Sequence, residues 1–167
     1  GSVRDILLHK KVNDFDIVTD IHMDTLQKIF TTAGWKVTDS GLQFLVLNIS
    51  KNDQHFEIAN FRKDGVDSDG RRPETVEIGT MKEDAARRDF TINALYIEPW
   101  SGLVIDPLNK GYADIKSKTL RFIGRPKDRI KEDYLRVFRY YRFLTKGFKP
   151  HPRSLRACRE YFNEAYS

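Results

Sequence analysis

The chain has 167 residues, 40% of them hydrophobic, a single cysteine and a formal net charge of +5, a composition that excludes a disordered segment and allows one good core or two small ones. No apolar run approaches the roughly 20 residues that span a bilayer, and no basic stretch leads into an apolar one at the N-terminus. A membrane or secreted class is therefore not expected, and the cytoplasm or an organelle interior such as the mitochondrion is. Cys158 has no second cysteine to pair with and no Cys or His at metal-ligand spacing, so it reads as a helix residue and zinc is not suggested.

In chain order, Val3 to Leu8 reads as a loop entering a helix, and Asp14 to Val18 as a short strand with alternating faces. Met23 to Thr32 fits a helix stopped by Gly34. Three β-rich runs follow, Trp35 to Thr38, Phe44 to Ile49 and Phe56 to Phe61, which supply a sheet. Asp64 to Glu74 is rich in Gly, Asp and Arg without apolar periodicity, the chemistry of a mobile loop. Lys82 to Arg88 reads as helical, Ala94 to Ile97 and Leu103 to Ile105 as a strand pair around the turn Glu98 to Gly102, and Leu120 to Ile123 as another strand. From Arg129 the pattern is helical, with Pro150 and Pro152 separating a helix that ends near Lys146 from one that starts near Ser154.

The charge is unevenly placed. Lys116 to Ser167 carries 15 Lys or Arg against 5 Asp or Glu, whereas the first 115 residues are net acidic. A basic C-terminal third suits either a polyanionic partner, through release of phosphate counterions, or a solvated cationic surface.

Four constellations carry chemistry. Asp14 and Asp16 flank Phe15, and residues two apart in a strand share a face, so the two carboxylates point one way with Phe15 and Ile17 toward the core. Such a pair is relieved by a hard divalent cation such as Mg²⁺ shared with substrate phosphates, although a solvated strand edge looks the same. Gly1-Ser2-Val3-Arg4 places small residues at a helix entrance, where backbone N–H groups and the Arg4 fork can meet a phosphate or where Ser2 simply caps. Arg87 to Asn93 crowds two cations, an anion and two hydrogen-bonding side chains beside apolar neighbours. Asp133, Arg136, Arg139 and Arg142 repeat every three residues, which on one helix winds them along a single ridge. Like charges so spaced repel, and either an anionic ligand or snorkelling side chains would relieve them.

In this order the four pieces resemble the class II tRNA nucleotidyltransferases and the related bacterial poly(A) polymerases over nearly the whole chain. GSVRD and DFD resemble the family's opening turn and metal-binding pair. They are followed by the basic loop FRKDGVDSDGRRP, the run RRDFTINA, the Asp106-Pro107 turn and the E-D-x-x-R-x-x-R pattern from Glu132 to Arg139. The resemblance implies an α/β (α+β) nucleotidyltransferase head of the polymerase-β-like kind. Its sheet would be mixed and largely antiparallel, filling residues 1–125, with the first helices of a helical neck at 126–167.

By the same resemblance Asp14 and Asp16 would hold the catalytic Mg²⁺ ions, with Glu57 a candidate third carboxylate. Gly1 and Arg4 would bind the triphosphate, and Arg88, Asp89 and Asn93 the sugar and phosphates. Asp133 and Arg136 would read the base, with Arg139 and Arg142 beneath them. The implied activity is two-metal addition of CMP and AMP from CTP and ATP to the 3′ end of tRNA, releasing pyrophosphate. Poly(A) synthesis or partial CC or A addition is the alternative, and a non-catalytic nucleotide- or RNA-binding module the rival of another class. The family's second glycine stands at Gly1 and its body and tail domains would follow Ser167. A strand before the chain and tRNA-gripping domains after it are therefore expected to be missing, leaving weak, salt-sensitive tRNA binding.

Overall fold

The computed structural model describes residues 1–12, 14–64 and 76–167. Of the mobile loop expected at Asp64 to Glu74, residues 65–74 lie outside the described residues.

The β-rich runs build a four-stranded sheet, β1 (Asp16–Thr19), β2 (Lys36–Thr38), β3 (Val46–Lys51) and β4 (Gln54–Asn60), in the order β1-β4-β3-β2. β1 lies parallel to β4, while β3 is antiparallel to both β4 and β2, so the sheet is mixed and largely antiparallel. The β3–β4 turn puts Asn52 and Asp53 at positive φ, 50° and 63°. Two such residues in a two-residue loop match the right-handed twist of the strands they join. Helix α1 (Ser2–Leu7) precedes the sheet, and α2 (Met23–Thr32) packs Met23 and Leu26 against Leu47, Ile49 and Ile58. The α2 chain turns out at Gly34, φ +84°, a left-handed conformation that costs glycine little.

Three sequence expectations change here. β1 begins at Asp16, so Asp14 precedes the strand. Phe15 and Ile17 are 57% and 38% exposed and do not face the core. The cause is position: β1 is an edge strand with β4 as its neighbour, and alternation says which residues share a face without saying which face is covered. At α1, Ser2 lies inside the helix and the cap is Gly1, without a side-chain cap bond.

Short strands β5 (Arg62–Asp64) and β6 (Val76–Ile78) pair antiparallel as the stem of the segment read as a loop. Helix α3 (Met81–Ala86) starts in a capping box between Thr80 and Glu83, which satisfies two of its free N–H groups. β7 (Tyr96–Ile97) and β8 (Val104–Ile105) form the expected hairpin. Then come α4 (Gly111–Ser117), β9 (Thr119–Leu120), α5 (Pro126–Glu132), α6 (Leu135–Leu144), β10 (Lys149–Pro150), α7 (Pro152–Glu160) and α8 (Phe162–Tyr166).

The largest core draws on both sides of residue 125: Phe90, Ile92, Leu120 and Phe122 pack with Ile130, Val137, Tyr140 and Phe143. Phe122 stacks on Tyr140 at 5.4 Å, and Phe143 meets Phe90 edge-on at 5.5 Å, geometries that add to simple burial. The Tyr140 hydroxyl donates to the Leu120 carbonyl at 3.0 Å, so its polar end is satisfied. Burial pushes the Cys158 thiol up to about 12, so it sits in this core as an inert thiol. Gly111 is required by a close approach: a Cβ there would stand 2.5 Å from the Thr91 carbonyl oxygen. The packing of α4 on residues 91–93 thus fixes the segment that carries Asn93.

Candidate nucleotide-binding site

Asp14 and Asp16 are both exposed, and neither side chain makes a hydrogen bond or ion pair among the described residues. Glu57 is the register partner of Asp16 across the parallel β1–β4 pair, where neighbouring strands run about 4.8 Å apart. Among the described residues no three His, Cys, Asp or Glu side chains gather as a metal-binding group. Glu57 stays the candidate third carboxylate, one strand away from Asp16. The described residues offer a pair of carboxylates without partners among themselves, and Mg²⁺ commonly takes one or two of these and completes its shell with water and substrate phosphate. The donor set fits.

Beside them, a chain of polar contacts crosses from α1 to α6. Arg4 Nη1 donates to Asn93 Oδ1, which also accepts from the Gly1 nitrogen at 3.4 Å. Asn93 Nδ2 donates to Asp89 Oδ1 at 3.0 Å, and Asp89 Oδ2 accepts from Arg139 Nε at 2.8 Å and lies 2.7 Å from its Nη2. The Phe90 N–H donates to Asp89 Oδ1 at 2.7 Å. Burial alone would raise the pKa of Asp89, but the Arg139 charge and these hydrogen bonds outweigh it and hold the carboxyl below its usual value.

A second centre is Asp84, which no sequence motif marks. It is fully buried and accepts from the Arg62 N–H, Arg87, Arg88 and the Tyr96 hydroxyl, the last at 2.6 Å. Burial pushes its pKa up, and the Tyr96, Arg62 and Arg88 contacts bring it below the ordinary carboxylate value. Asp84 therefore fixes Arg88, whose guanidinium also stands 5.3 Å over the Tyr96 ring while its Nε has no partner among the described residues. Arg129 ties α5 to the same segment, donating through Nη2 to the carbonyls of Arg87 and Arg88 at 2.6 and 2.7 Å. Asp84 follows Thr80 at the spacing of a first helical turn, a signal that marks a helix start and not a hub.

The ridge from Asp133 to Arg142 is not one helix. Asp133 lies in extended backbone, φ −158°, between α5 and α6, and its Oδ1 accepts from the Leu135 N–H at 3.0 Å. Aspartate before an apolar run is a good helix start. The repulsion expected along the arginines is relieved by the protein itself: Glu132 pairs with Arg136 at 2.8 Å and Asp89 with Arg139. Arg136 also donates through the same Nη1 to the Arg129 carbonyl at 2.9 Å, which leaves its Nε and Nη2 open. Arg142 is exposed and has no ion pair among the described residues.

A cavity of ≈ 550 Å³ brings together Gly1, Arg4, Asp16, Arg88 and Asn93, with Phe15 and Ile17 on its apolar wall. Asp14, Asp89, Asp133, Arg136, Arg139 and Arg142 do not line it. Asp89 and Arg139 reach it through Asn93, whereas Asp133, Arg136 and Arg142 have no such link to it among the described residues.

A mixed α/β sheet whose edge strand opens with Asp16, just after Asp14, beside an arginine-lined cavity defines a nucleotidyltransferase head. The chain belongs to the poly A polymerase head domain family, whose model matches residues 1–121. A curated relative is the CCA-adding enzyme of Enterococcus faecalis, 37% identical over 163 residues, covering 96% of this chain and 39% of that protein. Among solved structures, the Bacillus stearothermophilus CCA-adding enzyme in complex with CTP matches with a TM-score of 0.79 at 31% identity, covering 94% of this chain and 36% of that one. A tRNA nucleotidyltransferase complexed with a primer tRNA and an incoming ATP analog matches with a TM-score of 0.76 at 30% identity, covering 98% and 45%. The chain thus spans about two fifths of the length of these relatives. Among the described residues no helix is long and apolar enough to cross a membrane.

Proposed function

We propose that this chain is the catalytic part of a template-independent tRNA nucleotidyltransferase that adds CMP and AMP, from CTP and ATP, to the tRNA 3′ end. The observation that carries the reading is the placing of Asp16, without a cationic partner among the described residues, in one cavity with Arg4, Arg88 and Asn93. The relatives named as CCA-adding enzymes, one with CTP, support the choice of reaction. Residues to about 125 act as the head and those from 126 as the start of a helical neck.

Asp14 and Asp16 would hold Mg²⁺, which when bound lowers the charge barrier between the attacking 3′-hydroxyl and the α-phosphate. Arg4 and Arg88 bind triphosphate oxygens as fixed forks of N–H donors. Gly1 leaves open space at the α1 entrance, since a Cβ there would meet nothing nearer than 4.0 Å. Asp89 orients Asn93, and Asn93 orients Arg4, so the phosphate-binding side chains are held before substrate arrives. Pre-set donors cost no reorganisation as charge moves toward pyrophosphate.

For base choice, Asp133 keeps an acceptor in its Oδ2 and Arg136 keeps donors in Nε and Nη2. Cytosine presents an amino donor beside the bare ring nitrogen N3, and adenine the same pair at N6 and N1, so an acceptor beside a donor suits both. Uracil and guanine present a carbonyl beside a ring N–H and would oppose like to like, with Arg139 and Arg142 supporting the pair from below.

The test is to supply the chain, in Mg²⁺, with a tRNA lacking CCA plus labelled CTP and ATP, then sequence the products. Addition that stops at CCA supports the reading. A long adenylate tract selects poly(A) synthesis, which the family description also accommodates, and a CC or A end selects a partial enzyme. Nucleotide binding with no transfer under any metal, to tRNA or to a short single-stranded primer, selects a non-catalytic module.

A further inference from the structure

A second cleft, ≈ 610 Å³, shares no wall residue with the nucleotide cavity and has the opposite chemistry. Its walls hold Lys110 ahead of α4, Arg125 ahead of α5, Lys131 on α5, and Arg153 and Arg156 on α7, against one acidic side chain, Asp128. Two further cations there, Arg121 and Lys127, are neutralised by Asp114 and Glu160. Lys110, Arg125, Arg153 and Arg156 are exposed and have no acidic partner among the described residues.

The local rules of helix formation do not explain this placing. The first turn of α7 has no acidic residue and no side-chain cap, and Arg153 sits one residue past Pro152. Cations at that end oppose the helix dipole, and concentrating them in a concave cleft adds mutual repulsion. A sequence that breaks a local rule without an internal compensation points to an external one.

We propose that this cleft is a backbone-contact surface for RNA, holding a run of phosphates away from the reacting 3′ end. The spread of charge decides for a polymer: Lys110, Arg125, Lys131 and the α7 arginines come from separate segments, and one phosphate cannot engage them all. The cleft offers no exposed aromatic ring, so the contact is electrostatic and indifferent to sequence. The nature of the polyanion rests on the function proposed above, whereas the existence of the contact does not.

The experiment measures binding of the chain to a labelled tRNA lacking CCA between 50 and 200 mM salt, concentrations chosen to expose counterion release. Wild type is compared with R125Q/R153Q/R156Q and with a control, K28Q/K36Q/K82Q, that removes three exposed cations outside the cleft. The slope of log affinity against log salt should flatten by about 2–3 in the cleft variant, at about 0.9 per lost duplex phosphate contact. It should change far less in the control. Equal slopes in cleft variant and wild type, or equal flattening in both variants, overturn the proposal. Millimolar inorganic phosphate that binds the wild-type cleft while the tRNA slopes stay equal assigns it to a small anion and also overturns it. Transfer of CMP to a short single-stranded primer is measured alongside and should be the same in all three proteins. Loss of transfer in all three, with the slope difference intact, counts against the proposed reaction and not against the cleft.

Discussion

Asp89→Ala separates the support of the site from its chemistry. Asp89 is 9% exposed, and its two oxygens serve the Phe90 N–H, Asn93 and Arg139. The Phe90 N–H is buried and would be left without an acceptor, at about 1–3 kcal/mol. Asn93 is only part-buried and loses less, and Arg139 is half exposed, so its ion pair is screened and worth at most about 1 kcal/mol. The expected loss is about 2–4 kcal/mol in urea unfolding, with Asp89→Asn, which keeps an acceptor for Phe90, losing less than half of that. The carboxyl's pKa is lowered in the folded chain, so its stabilising contribution is complete above the unfolded value near 4 and fades as pH falls through the folded one. Wild type should therefore lose its advantage over Asp89→Asn below about pH 4, and hold it at neutral pH. Because Asn93 orients Arg4, CTP affinity should fall in parallel. An Asp89→Ala protein within about 0.5 kcal/mol of wild type at neutral pH, with normal CTP affinity, would refute the support role.

Asp14→Ala and Asp16→Ala should each abolish transfer while melting within a few degrees of wild type without metal, since neither exposed carboxylate has a partner among the described residues; near-normal turnover by either excludes the metal role. Asp133→Ala should admit UTP and GTP while metal-dependent transfer continues, because a mismatched buried polar group costs about 1–3 kcal/mol and the phosphate contacts lie elsewhere. Discrimination that survives intact would move base choice to other residues. Gly111→Ala should destabilise the chain by about 1–3 kcal/mol, as its Cβ would meet the Thr91 carbonyl backbone, and thermal unfolding at wild-type stability would refute the close approach.

Much of this was legible because local chemistry and tertiary packing agree. The α2 span and its Gly34 exit follow from apolar spacing and left-handed backbone, and β2 to β4 from alternation over runs bounded by turn residues. The misses have particular causes. Helix α4 begins at Gly111, and Asp106 caps it from outside, accepting from the Gly111 and Tyr112 N–H groups, a cap too distant to read from helical spacing. The break between α5 and α6 has no proline or glycine to mark it, so the threefold arginine spacing read as one continuous helix. Asp84 reads as an ordinary first-turn acid, and only the fold shows Arg62, Arg88 and Tyr96 converging on it from separate elements. Of the expected site, Gly1, Arg4, Asp16, Arg88 and Asn93 share a cavity because α1, β1 and the 91–93 turn meet there. No local pattern encodes which cavity a helix such as α6 will face.

The most direct test of the central claim is pyrophosphate release from CTP by the chain in the presence of a tRNA lacking CCA, with and without a divalent cation, for wild type and Asp16→Ala. Release that needs both RNA and metal in wild type, and disappears in Asp16→Ala while CTP still binds, is the predicted result. Release that persists in chelator or in Asp16→Ala would contradict the assignment of these carboxylates, and so would wild type that binds CTP but releases no pyrophosphate.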